Sequence, residues 1–385
     1  ARWLFTVGRL EIFGEQLTVR RSDGSALRLL HPWFQIREAG NVRQLVFTAE
    51  LPTELGERLH FTVDRAPSSS ELWQGQFAFH ADRLNLAGWP LPLPFTAGQA
   101  SINMQGDWQD WRPVRVAGQL RLQQAALDHR PRFGVLQHWL NQQPDSVLEF
   151  SGAAEESGWQ WQGQARFGNA QPTVQLRQTG TVWRGHLRDG RAEDALAWIS
   201  PWLDESGQHW LISLEPHGAL PEIAVQLDSV AESFAATMQF NELASRPVHP
   251  LPGFAGLTGT LTVSPDDGRL ELNSRQLRID TAGLLRAPIT LDTLKGVLNW
   301  RYSTQGWTLD SPGIELGNPD LSGRFWGSAT LPDAGEPSLN VRGQYQLQLG
   351  AVRRYLPFTA IPPDGLAWLD QALVSGQATG GDFTL

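Results

Sequence analysis

Side chains along most of this chain alternate between apolar and polar, and this period of two limits the fold more than any other feature. Typical runs are Leu59/Phe61/Val63 and Leu270/Leu272, each interleaved with polar residues. Alternation places one set of side chains on each face of a β-strand. Strands with one apolar and one polar face are typical of antiparallel sheets, because strands buried on both faces of a parallel sheet read as continuous apolar runs.

Turn residues separate these alternating runs throughout the chain. The 385 residues include 38 glycines and 25 prolines, and turn signals recur about every 8–12 residues, which predicts roughly twenty or more strands. Residues 266–268 and 305–306 read as hairpin turns between paired runs. Gly14-Glu15 is interpreted as another turn. The pattern therefore predicts an all-β fold.

In three short stretches the apolar residues recur at helical spacing instead. They cover about 133–142, 192–203 and 364–374, and Asp364 is the predicted N-cap of the last one. Proline-rich stretches at 90–94 and 246–253 are candidate joints. We therefore divide the chain into an N-terminal β segment (1–128), a middle β segment with short helices (129–250) and a C-terminal β segment with a terminal helix (251–385).

A short motif recurs at irregular spacing, in which a Trp or Leu is followed two residues later by a glycine that opens a strand. Its five instances begin at Trp73, Trp161, Trp183, Leu257 and Leu321. A glycine at such a position permits a bend or a bulge while the neighbouring side chain packs. The motif predicts repeated β units that start in the same way.

Composition excludes several classes of function. The chain has no cysteine, which removes disulfides, zinc–thiolate sites and thiol catalysis. With 31 basic and 40 acidic residues the formal net charge is −9, so we expect no nucleic-acid partner. No apolar run is long enough to span a bilayer.

No motif for catalysis, metal binding or cofactor binding is recognisable. The nine histidines show no metal-binding spacing, and phosphate- or dinucleotide-binding loops and nucleophile elbows are missing from the sequence. Glu155-Glu156 and Asp204-Glu205 are adjacent carboxylates, which point in opposite directions on an extended chain and make poor acid/base partners. We predict no catalytic residue, no metal and no cofactor.

The aromatic residues leave three interpretations open. The chain has 17 Trp and 17 Phe but 3 Tyr, so its rings are bulky and mostly lack hydroxyl groups. They fit the core of a structural array of β-sandwiches, or an apolar groove for lipid. A glycan-binding β protein is the third possibility, with stacking by Trp89, Trp108, Trp111, Trp159 and Trp161.

Several segments, taken in order, resemble one known family. They are 44–52, 252–261, 287–300, 318–324 and 365–376, which begin with Gln44-Leu-Val-Phe, Pro252-Gly-Phe-Ala-Gly, Ala287-Pro-Ile-Thr-Leu, Asn318-Pro-Asp-Leu and Gly365-Leu-Ala-Trp-Leu. Together they are similar to the YhdP proteins, the large AsmA-like envelope proteins of Gram-negative bacteria. The resemblance implies an elongated, curled antiparallel sheet that forms an open hydrophobic groove and transports phospholipid.

From that resemblance, we predict that the apolar side of each strand lines the groove. The alternation selects Leu59, Phe61, Val63, Phe77, Phe79, Ile102, Met104, Leu120, Leu122, Phe167, Val225, Leu227, Met238, Phe240, Leu261, Val263, Leu270, Leu272, Leu277, Ile279, Leu298, Trp300, Leu309, Leu316, Val341 and Leu347.

The resemblance also implies a cellular setting and partners. The family is periplasmic and anchored in the inner membrane, and it bridges toward the outer membrane, with phospholipids as cargo and no enzymatic activity. Both ends of the chain fall within strand-like sequence, so we interpret the chain as part of a longer protein, without the anchor and the C-terminal part. We expect it to be a monomer.

Overall fold

The structure, a computed structural model, describes residues 9–384 except 21–25, 40–41, 66–73, 90, 92, 129, 131–132, 168–169, 250 and 360. The chain divides into two compact units, Ala1–Gly180 and Thr181–Leu385, called unit 1 and unit 2. The three segments inferred from the sequence stay a prediction. Trp73, Pro90 and Pro92 lie outside the described residues.

Unit 1 is built on an antiparallel sheet. Its strands are β1 (Leu10–Phe13), β2 (Gln16–Arg20), β3 (Ala26–Ala39), β4 (Val42–Glu50), β5 (Arg58–Arg65), β6 (Gln74–Asn85), β7 (Phe95–Gln109), β8 (Arg112–Leu127), β9 (Asp145–Glu155), β10 (Gly158–Phe167) and β11 (Thr173–Thr179). From β3 onward each strand pairs with the next. Strands β1 and β2 both pair with β3, so Gly14-Glu15 interrupts one edge of the sheet, and the expected turn between paired strands is wrong.

Unit 2 repeats the arrangement. Its strands are β12 (Val182–Arg191), β13 (His217–Asp228), β14 (Ser233–Ser245), β15 (Gly253–Val263), β16 (Asp267–Asp280), β17 (Ile289–Ser303), β18 (Gly306–Gly317), β19 (Leu321–Leu331), β20 (Ser338–Gln348) and β21 (Gln377–Thr384). Each pairs with the next in antiparallel register. The hairpins predicted at 266–268 and 305–306 are confirmed. In both units the first and last strands share no ladder among the described residues, so each sheet is open and the predicted all-β antiparallel fold is confirmed.

The α-helices are short and lie between strands. They are α1 (Gly134–Gln142), α2 (Ala192–Ile199), α3 (Glu205–Leu214) and α4 (Pro363–Ala372). The prediction of one helix over 192–203 is wrong at its end, because a 3₁₀ turn containing Pro201 follows α2. Asp204 then caps α3, which the sequence pattern did not predict, by accepting a 2.7 Å hydrogen bond from the Gly207 N–H. The prediction of Asp364 as the N-cap of the last helix is wrong, because Pro362 is the N-cap of α4 and Asp364 lies in its first turn.

Helices α1 and α2 cover one end of the apolar side of their sheets. In α1, Leu136, Trp139 and Leu140 recur at helical spacing and are 0%, 5% and 4% exposed. In unit 2, Ala192 of α2 forms a buried cluster with Leu220 and Phe240. We call this part of each sheet the helix-covered end. The opposite part, where hairpins such as β13–β14 turn, is the hairpin end.

Near the helix-covered ends, residues with a left-handed backbone shift the alternation of side chains between the two faces of the sheet. Four polar or charged side chains with positive φ occupy these points: Arg83, Gln124, Glu242 and Gln276. Each lies beside a glycine that also has positive φ: Gly98, Gly218 and Gly256 in the neighbouring strand, and Gly56 in the segment before β5. The approach is close, since a Cβ added to Gly98 would lie 2.6 Å from the Ala125 Cα. The left-handed conformation costs L-residues about 1–2 kcal/mol, so a structural requirement must hold it.

Candidate functional site: the apolar faces of the two sheets

In unit 1 the ladder register brings the predicted lining residues onto one face of the sheet. Phe61 lies opposite Phe79, and Phe79 lies opposite Met104. Residues directly opposite in a ladder project from the same face. Leu59, Val63, Phe77, Ile102, Leu120, Leu122 and Phe167 follow on this face by the same register.

The equivalent face of unit 2 runs through successive pairs from β13 to β20. Met238 lies opposite Leu261, which lies opposite Leu270, and Leu270 lies opposite Leu298. Val225, Leu227, Phe240, Val263, Leu272, Trp300, Leu309, Leu316, Val341 and Leu347 follow on this face by the same register. We call these two surfaces the apolar faces; their role in binding stays a prediction.

Leu277 and Ile279 reach the same face through a phase shift. Counted by strict alternation from Leu272, both side chains would project from the polar side. Instead Arg275 and Gln276 are both exposed, while Ser274 and Leu277 on either side are 0% and 1% exposed. Gln276 has a left-handed backbone, with φ of 53°, and at this residue the alternation between the two faces shifts by one position. The apolar face therefore continues past the bulge.

Burial varies along the predicted lining. Phe240 and Leu277 are 2% and 1% exposed, whereas Leu227 at the hairpin end is 48% exposed. Every other predicted lining residue is half-buried. Phe234, opposite Leu227, is 42% exposed. The apolar face of unit 2 is thus a packed core at the helix-covered end and an accessible surface at the hairpin end.

Aromatic rings lie over glycines on the neighbouring strand. A Cβ added to Gly268 would overlap the Trp300 ring, and one added to Gly152 would overlap the Trp161 ring. A ring that covers a glycine fills the space of the missing side chain. The glycine of the recurring motif acts similarly at Gly259, which stays in the ladder opposite Leu272 beneath Phe240. Register shifts begin at this glycine in both of its ladders, between Ala255 and Gly259 and between Phe240 and Leu243, which fits the bend or bulge expected from the sequence.

An apolar hollow of about 200 Å³ lies on the apolar face of unit 2. Leu298, Leu309 and Val341 of the predicted lining contact it, together with Ile314 and Phe325, which the prediction omitted. Gly327, which has no side chain, and Ala329, which has a small one, line the hollow from β19. A break in register between Ser311 and Ile314 re-aims the neighbouring side chains. The alternation of Phe325, Gly327 and Ala329 in the sequence was the available signal.

A larger cavity, of about 640 Å³, lies in unit 1 on the other side of the sheet. It is lined mainly by polar residues such as Gln76, Gln105 and Gln162, which alternate with the apolar residues of the same strands. The two cavities therefore lie on chemically opposite faces of their sheets.

The other candidate residues have structural roles. Trp159 and Trp161 stack on each other at 5.1 Å between ring centroids, on the apolar face. Glu155 accepts hydrogen bonds from Arg177.

In the described part of the chain no three metal-binding side chains come together. The helices described are all too short or too polar to cross a bilayer.

Comparison with known proteins points to one family. The family described as "YhdP protein" matches residues 1–385. A relative, the "Intermembrane phospholipid transporter YhdP" of Escherichia coli (strain K12), is 24% identical over 182 residues, which is 47% of this chain and 14% of that protein. The matched part is therefore a small portion of the relative. No solved structure matches the chain.

Proposed function

Since the chain belongs to the YhdP family, we propose that its apolar faces hold phospholipid acyl chains as part of a protein that carries phospholipid between membranes. The observation that best supports the proposal is the half-buried apolar face of unit 2 with its hollow beside Leu298 and Leu309. The relative's name, an intermembrane phospholipid transporter, supports the same cargo.

The energetics favour such a surface. Each CH₂ kept from water contributes about 0.8 kcal/mol, so moving two 16-carbon tails through water costs on the order of 20 kcal/mol. A continuous apolar face offsets most of this cost. Neighbouring strands are about 4.8 Å apart, so a chain that moves across the strands meets a similar surface at each step.

The acyl chains lie at the hairpin ends, because the helices occupy the other ends. Ala192 of α2 packs on Phe240, which leaves no surface there for a lipid tail. Leu227, Phe234 and Leu339 are 48%, 42% and 54% exposed. These exposed positions give a tail access to the apolar face from solvent.

The cellular setting follows the family. The protein acts in the periplasm, and the longer protein to which this chain belongs is anchored in the inner membrane and reaches toward the outer membrane. It works as a monomer with phospholipids as partners, and it is not an enzyme. We propose no catalytic residue and no cofactor.

Photocrosslinking tests the proposal most directly. A photoreactive residue at Leu298 or Leu309 should crosslink to phospholipid in cells, and one at Thr308 should not. Thr308 precedes Leu309 in β18 and is exposed on the polar face, which makes it a matched control. Equal labelling from Thr308 and Leu309, or no lipid on either, would overturn the proposal.

A charge on the apolar face gives a second test. We expect Leu309→Asp to lower the phospholipid that co-purifies with the protein while leaving the fold intact, because Leu309 is half-buried. Thr308→Asp should change neither. Unfolding of Leu309→Asp alone would show that this part of the face is a closed core, in which an unpaired charge is costly.

A further inference from the structure

The polar cavity of unit 1 is shared by six consecutive strands. Each strand from β5 to β10 contributes polar-face residues, from Thr62 and Asp64 in β5 to Gln160 and Gln162 in β10. In a flat sheet the outer two of these strands would lie about 24 Å apart, at about 4.8 Å per strand. Residues from all six line a single cavity, so this concavity is a trough that crosses the strands.

Small side chains create the space. Ala78, Ala117, Ser151 and Ala153 lie on the floor of the cavity. Two residues further along β8 the polar face carries the long Gln119, which is exposed and outside the cavity lining. The concavity therefore depends on small residues at positions where the same face otherwise carries long ones.

The walls carry hydrogen-bonding groups that point to a neutral polar ligand. Side-chain amides such as those of Gln76, Gln105 and Gln162 each donate and accept hydrogen bonds. Asp107 is already engaged, since it accepts a 3.3 Å hydrogen bond from Gln76 and lies 3.8 Å from Arg115. Arg115 is the sole cation among the described lining residues, which disfavours a phosphate-rich ligand.

Asp64 adds a group that lacks a partner. Its Oδ1 atom is buried and accepts no hydrogen bond from any described residue. A buried carboxylate oxygen without a donor is costly. The atom has almost no accessible surface, so the groups that the cavity offers to a ligand are the glutamine amides and not this oxygen.

We propose that this concavity binds a saccharide. A ring of hydroxyl groups donates to carboxylates and exchanges hydrogen bonds with amides, and about 640 Å³ is within the usual range of roughly 300–1,000 Å³ for small-molecule sites. The site is separate from the acyl-chain surface and does not rest on the proposed lipid function. It also differs from the stacking site expected at Trp159 and Trp161, which lie on the opposite face.

Binding of chitotetraose to the purified 385-residue chain, measured by calorimetry or ligand-observed NMR, tests this site. The acetamido groups of chitotetraose can exchange hydrogen bonds with glutamine amides. Ala117→Phe fills the floor and should abolish binding, whereas Gln119→Phe, on the same face of β8, should not. Gln162→Leu removes one amide and should weaken binding by about fivefold, the equivalent of one net hydrogen bond of about 1 kcal/mol.

Each result supports or overturns the saccharide site. Lack of chitotetraose binding by the unmodified chain, or unchanged binding by Ala117→Phe, overturns the proposal. Tighter binding of glycerophosphoethanolamine, a lipid headgroup, overturns it in favour of a lipid-related site. If Ala117→Phe fails to fold, Gln162→Leu decides instead. Lipid crosslinking from Leu309 should be the same in Gln162→Leu, so the two proposals fail independently.

Discussion

The helix-covered end and the hairpin end of unit 2 carry the same alternating pattern but differ in what lies above it. Phe240 and Phe234 are both on the apolar face of β14, yet they are 2% and 42% exposed. The difference is helix α2, which packs on Phe240 through Ala192. Alternation therefore defines a face, and a helix decides whether that face becomes a core or an accessible surface.

The two units make a second contrast. In unit 2 the hollow beside Leu298 is on the apolar face, whereas in unit 1 the larger cavity is on the polar face. The strands of both units alternate in the same way. The face on which a hollow lies is thus not fixed by which face is apolar, and small residues such as Ala117 and Ala329 line both hollows.

The largest expected effect separates the two ends of β14. Phe240→Ala should lower the free energy of unfolding of unit 2 by about 3–5 kcal/mol, the usual loss when a buried Phe is truncated. Phe234→Ala should cost about 1 kcal/mol or less, because the ring already faces solvent. Urea denaturation of both variants measures the difference. Similar losses would mean that the hairpin end is packed as tightly as the covered end.

The phase shift between the two ends provides a smaller effect. Gln276 has a left-handed backbone that β-branched residues rarely adopt, so Gln276→Val should lower the unfolding free energy by about 1 kcal/mol or more. Gln276→Gly should keep or raise it. Arg278→Val, at an exposed position of the same strand, is the control. A loss for Arg278→Val equal to that for Gln276→Val would contradict the role of the bulge.

Much of the fold was predictable from local patterns. The period of two indicated the strands and the apolar set, and the hairpins followed from turn residues such as Asp267-Gly268. The continuity of β16 as one strand was not predictable, because Leu272 and Leu277 are out of phase and read as two strands. The left-handed Gln276 joins them, and glutamine carries no strong signal for that conformation.

The candidate site was predictable as a face but not as a cavity. Register between neighbouring strands brought Leu270 and Leu298 together, as alternation had required. The omitted Phe325 belongs to the same face, since it lies opposite Ile314. The polar concavity had no single signal, because it depends on Ala78, Ala117 and Ala153 meeting across strands that are distant in sequence.

Helix α4 sharpens the first contrast, because it has no buried residue, and its Trp368 is 67% exposed. An ion pair links it to the segment before β17, in which Arg286 donates hydrogen bonds of 2.9 Å and 3.0 Å to the two carboxylate oxygens of Asp370. These hydrogen bonds lower the pKa of Asp370 below its ordinary value of 3.8. Helix α4 thus has a surface ion pair where α2 has buried apolar packing, and we expect the ion pair to hold α4 in place.

The smallest expected effect is therefore local and depends on pH. Because the pKa of Asp370 is lower in the folded state, the ion pair stabilises the docked helix fully above pH 3.8 and is lost as the pH falls through the folded pKa. In the unmodified chain, hydrogen exchange of the α4 amides, corrected for intrinsic exchange rates, should therefore become faster at low pH. Asp370→Asn should make this exchange faster already at neutral pH and should remove its further rise in acid. The exchange of α2 should not change. If α4 exchanges as slowly in Asp370→Asn as in the unmodified chain, apolar contacts hold it, and the distinction from α2 is lost.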